Sequence, residues 1–141
     1  MANIDSIEGV GASYADKLKA AGISTTEGLL EKGASAKGRE AIVKQTGISD
    51  KLILRWVNHA DLFRLKGVAS EFAELLEASG VDSVPELAQR NAGNLTQKMA
   101  AINEEKKLVR KVPTESQVTA WIAEAKNLPK VVTHDSFGAK G

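Results

Sequence analysis

Two stretches of this chain repeat each other, and the repetition limits the folds open to it. At a spacing of 58 residues Ile7 pairs with Leu65, Gly9 with Gly67, Val10 with Val68 and Tyr14 with Phe72. The same spacing pairs Leu18 with Leu76, Gly22 with Gly80, Ile23 with Val81 and Leu29 with Leu87. Further on the spacing is 65, which pairs Ser49 with Thr114, Trp56 with Trp121, Val57 with Ile122 and Ala60 with Ala125. The second copy therefore holds seven extra residues between Gly93 and Pro113. Repeated units with matched apolar positions cannot bury those faces alone and stack against a neighbour. The expectation is one pseudo-two-fold domain over 1–128, with repeat one at about 4–61 and repeat two at about 62–128.

Within each copy the apolar spacing is that of helices, and no run alternates long enough to make a useful strand. Helices are expected over 12–21 and 70–79, each stopped by a glycine, Gly22 or Gly80. Ser24-Thr25-Thr26-Glu27, Ser83-Val84-Pro85-Glu86 and Thr114-Glu115-Ser116-Gln117 have the form of capping boxes opening further helices. A helix over 37–45 points Ala41, Ile42 and Val43 inward, and another is expected over 94–102. Ser49 opens a long helix whose Leu52, Ile53, Trp56, Val57, Ala60 and Phe63 recur at helical spacing. Trp56 and Trp121 stand on apolar faces and belong to a core. Residues 129–141 have few apolar anchors and are expected to form a loose tail.

The stretch Ile4 to Leu18, with Gly9-Val10-Gly11 before a helix carrying Tyr14, Ala15 and Leu18, resembles the helix-hairpin-helix motif. It returns as Leu62 to Leu76 around Gly67-Val68-Ala69. The resemblance implies a reader of nucleic-acid backbone that ignores base sequence. The longer string from Trp56 to Val68, with Glu86-Leu87-Ala88-Gln89-Arg90-Asn91, is similar to a bacterial family of tandem helix-hairpin-helix proteins classed as domain of unknown function 4332. That similarity covers about Ile4 to Leu128. It implies an all-α fold of tandem helix-hairpin-helix repeats and carries no activity with it.

Composition narrows the function classes. With no cysteine there are no disulfides, thiolate metal sites or thiol nucleophiles. No apolar run approaches a membrane span, and the first residues lack the basic and apolar parts of a signal peptide, so a cytoplasmic protein is expected. Formal net charge is only +1, from 19 basic and 18 acidic residues. The first 61 residues carry 8 of each sign, and the remainder 11 basic and 10 acidic. A dedicated DNA-binding domain usually shows a clearer basic excess.

Candidate binding residues gather in three places. In the first turn, the amides of Gly9, Val10 and Gly11 suit a phosphate at a helix N-terminus, with Ser13 and Lys17 one turn on. In the second, Arg64 and Lys66 bring positive charge to Gly67, Val68, Ala69 and Ser70. The third is the insertion, where Lys106, Lys107, Arg110 and Lys111 follow Glu104 and Glu105. Each also has a structural explanation: tight connectors for the turns, a solvated helix end for the charges. Glu8 beside the first turn and Ala69 in place of a second glycine count against phosphate.

His59 and Asp61 lie two residues apart, on different sides of a helix, so neither makes a metal site with the other. His134 and Asp135 fall in the expected tail. No catalytic residue, metal or cofactor is expected, nor a membrane or small-molecule partner. The expected function is non-catalytic binding, with the DNA backbone as partner; the alternative is a protein-interaction or scaffolding module.

Overall fold

The computed structural model describes residues 2–133, and among them every regular element is helical. A 3-10 turn at Ile4–Ser6 precedes α1 (Ala12–Ala20), α2 (Thr26–Lys32), α3 (Ala36–Thr46) and α4 (Asp50–Leu62). Then come α5 (Ser70–Ala78), α6 (Val84–Ala88), α7 (Ala92–Lys106) and α8 (Glu115–Asn127). A lone antiparallel bridge joins Asn3 to Thr25. No helix among the described residues is long and apolar enough to cross a membrane. The chain divides into two compact units. Unit one runs to Asp61 and resumes at Val131; unit two is Leu62–Lys130.

Local chemistry explains most helix starts. An oxygen at the N-cap accepts an otherwise orphaned first-turn amide. Thr25 does this for Gly28 at 2.9 Å, Ser35 for Gly38 at 3.0 Å and Ser49 for Leu52 at 3.3 Å. In unit two Ser83, Asn91 and Thr114 serve Glu86, Asn94 and Gln117 in the same way. Of the three expected capping boxes, the one at Thr114 is reciprocal, with Gln117 accepting back from the Thr114 amide at 2.9 Å. At the first, the cap is Thr25 rather than Ser24. At the second, the Glu86 carboxylate turns to Arg90 at 3.4 Å. α7 starts at Ala92 and runs four residues beyond the expected Ile102, because Asn91 caps it and Lys107 ends it in the left-handed region.

In unit one, Ile4, Ile7, Leu18, Ile23, Leu29 and Ile53 are fully buried beside Trp56. The Tyr14 ring meets the Trp56 indole edge-on, centroids 5.1 Å apart at 63°. α1 ends on paired bonds, Ile23 N–H to Leu18 O at 2.8 Å and Gly22 N–H to Lys19 O at 2.9 Å. Those bonds satisfy last-turn carbonyls and need a left-handed residue between them, supplied by Gly22 at φ +86°.

Arg39, not Ala41, turns inward on α3: Ala41 is exposed and Arg39 is 7% exposed. Its guanidinium donates to Gly33 O at 2.8 Å, Ala34 O at 3.1 Å and Thr133 O at 2.6 Å. The Thr133 amide in turn donates to Ala34 O at 2.7 Å, and Val132 is buried. Residues 131–133 are therefore anchored, where the sequence suggested the start of a loose tail. Burial lowers the Arg39 pKa from its ordinary value. Residues 134–141, with His134 and Asp135, lie outside the described residues.

Unit two repeats the local pattern of unit one. Phe72 meets Trp121 at 5.4 Å and 57°. α5 ends on Val81 N–H to Leu76 O at 2.8 Å and Gly80 N–H to Glu77 O at 3.0 Å. Leu62, Leu75, Leu76, Leu87, Val118 and Trp121 belong to its hydrophobic cluster. The insertion is tied down by Asn103, whose side chain donates to Val109 O at 3.0 Å and accepts from Val109 N–H at 2.9 Å.

Two stability measurements check this description. Trp56→Ala removes a 1%-exposed indole and is expected to destabilise the fold by about 3–5 kcal/mol. A loss below about 1 kcal/mol in urea would place the indole outside a packed core. Arg39→Met keeps the stem and removes the donors, so the Thr133 amide is expected to lose protection from hydrogen exchange. Unchanged protection at Thr133 would show that the segment is held by other contacts.

Candidate nucleic-acid interface

The two turns have nearly the same geometry. Val10 N–H donates to Ile7 O at 3.1 Å, and Val68 N–H to Leu65 O at 3.2 Å. Gly9 sits at φ +95° and Gly67 at φ +87°, values that L side chains rarely adopt. A Cβ on Gly9 would stand 3.5 Å from Trp56 Nε1, and one on Gly67 3.7 Å from Trp121 Nε1. Each turn thus lies over the indole of its own unit. Val10 and Val68 are buried, and their amides are already bonded within the turns, so the expectation that these two residues hold a phosphate is not met by either side chain or N–H.

The helices that follow the turns start differently from the others. Gly11 caps α1 and Ala69 caps α5, both extended and both without a side-chain hydrogen bond. Their first-turn amides therefore receive no acceptor from the cap residue, which favours an anion there. α1 has no acid in its first turn, whereas α5 has Glu71. Ser13 and Lys17 are exposed on α1, with Lys17 Nζ 6.0 Å from the Tyr14 ring centre. Glu8 is exposed beside the first turn.

At the second turn Lys66, Gly67 and Ala69 are exposed and Arg64 is half-buried. The Ser70 hydroxyl is enclosed without a hydrogen-bond partner, whereas Ser13 is exposed. The Lys66 amide already donates to the Glu124 carboxylate of α8, at 3.0 Å. Lys106, Lys107, Arg110 and Lys111 are exposed, as are Glu104 and Glu105 on the end of α7. The residues of each turn come together as a contiguous unit, while the insertion residues sit apart in sequence at the far end of α7.

Sequence reasoning missed Glu124, Arg39 and Asn103. Glu124 was detectable in principle, since the spacing of 65 aligns it with His59 and puts a carboxylate where the first copy has an imidazole. His59 and Asp61 are both fully buried on α4. Each unit also has a broad recess. The one of about 640 Å³ in unit one mixes Arg39, Lys44 and Lys51 with Glu40 and Asp50. The one of about 550 Å³ in unit two includes Arg90 and Lys126.

No curated protein and no solved structure matches this chain. A family model described as a domain of unknown function (DUF4332) matches residues 8–128. The chain belongs to that family.

Proposed function

We propose that the chain is a tandem helix-hairpin-helix module that binds the phosphate backbone of nucleic acid without reading base sequence, and that it is not an enzyme. One observation carries the reading. The same glycine turn, at positive φ over an indole, leads twice into a helix whose N-cap has no side-chain hydrogen bond. Oxyanions are favoured where backbone amides converge at a helix N-terminus. The first turn is the stronger candidate, because α1 lacks an acid in its first turn and carries Ser13 and exposed Lys17. Lys66 and the basic residues 106, 107, 110 and 111 would add long-range attraction.

A near-neutral charge and the carboxylate on the second turn favour a second reading, a protein-interaction module that has kept the fold. Fluorescence anisotropy with duplex DNA at low salt separates the two. Phosphate contact gives a dissociation constant around 10⁻⁴ to 10⁻⁶ M at physiological salt, equal for unrelated sequences. Lys17→Glu is expected to weaken binding and flatten the log-affinity against log-salt slope by roughly one to two units. Gly9→Val should weaken it through the turn, with circular dichroism reporting an intact fold. Absence of binding to any DNA or RNA at high micromolar protein would leave the protein-interaction reading.

A further inference from the structure

The two turns differ in one respect that their backbone geometry hides. In unit two, Glu124 on α8 reaches the turn and its Oε1 accepts the Lys66 amide at 3.0 Å. Lys66 is the residue before Gly67, so this amide opens the turn that leads into α5. In unit one the residue aligned with Lys66 is Glu8, and the residue aligned with Glu124 is His59. An imidazole at that place brings no carboxylate oxygen to the turn. Glu124 lies three residues beyond Trp121, close to one helical turn, and so shares the side of α8 that carries the indole beneath Gly67.

We propose that the Glu124 carboxylate is a built-in stand-in for phosphate, which occupies the second turn and keeps it closed to an external oxyanion until displaced. The inference rests on the phosphate reading of the turns given above. A carboxylate and a phosphate compete for the same donor, since each presents a charged oxygen to a backbone N–H. The charge of Glu124 also opposes the approach of phosphate to Lys66 from solvent. The first turn has a buried His59, not a carboxylate, in the matching place. The second turn becomes a conditional contact, since an oxyanion that enters it must expel an internal anion.

The test compares Glu124→Ala with the parent chain and with Glu71→Ala. Glu71 is exposed in the first turn of α5, so its removal deletes a nearby negative charge without freeing the Lys66 amide. Glu124→Ala is expected to tighten duplex binding on the order of three- to ten-fold, about the net worth of one ordinary hydrogen bond. The salt slope should steepen by roughly one unit as a phosphate contact is gained. An equal gain in Glu71→Ala would reduce the effect to general charge and overturn the proposal.

Inorganic phosphate supplies a readout that needs no nucleic acid. In amide proton–nitrogen spectra, the Lys66 resonance of Glu124→Ala should shift saturably with phosphate and that of the parent should shift less. A silent Lys66 amide in the variant would overturn the proposal even if the parent binds DNA. A responsive Lys66 amide with no binding to DNA by either protein would sink the backbone reading and keep Glu124 as the occupant. If Glu124→Ala does not fold, Glu124→Gln keeps an acceptor of the same length without the charge. Its Lys66 amide should respond to phosphate more than the parent's, and an equal response counts against the proposal.

Discussion

The contact between an indole and a glycine turn organises each half of this protein. A turn at positive φ brings its glycine close to an indole, where a Cβ would meet the ring nitrogen. Tyr14 and Phe72 then close on the same indoles from the following helices. The turn is therefore held from two directions, by the ring beneath it and by the helix it starts. The first amides of the helix that follows receive no side-chain cap in either unit.

The halves differ at one matched position. In unit two Glu124 accepts the Lys66 amide, while a histidine stands at the matching place in unit one. Matched backbones thus carry different side chains at the same place. The near-balance of charge fits the same picture, because acids beside the turns offset the lysines and arginines that surround them.

Much of the fold was legible because its signals are local or periodic. The glycine stops, the caps at Ser49, Ser83 and Thr114 and the apolar faces with Trp56 and Trp121 all follow from short-range chemistry and helical spacing. Arg39 was illegible for the opposite reason. Its partners are backbone carbonyls, including that of Thr133 far along the chain, and backbone atoms leave no mark in residue identity. The same holds for Asn103 on the Val109 backbone and for Glu124 on the Lys66 amide. The candidate site was thus readable as a motif but not as an occupied or open place. Ser70 shows the same limit: its identity suggested a ligand contact, and packing enclosed its hydroxyl.

The return of the chain to unit one bears on the order in which the molecule can be made. Unit two is continuous, but unit one receives Val132 and the Thr133 carbonyl after all of unit two has been synthesised. Translation proceeds at about 5–20 residues per second, so unit one waits seconds on the ribosome with Arg39 facing water instead of Thr133. During that interval the loop before α3 lacks the Thr133 amide that later bonds Ala34. The half that begins first is in this sense finished second, and chaperones would meet it with one edge still open.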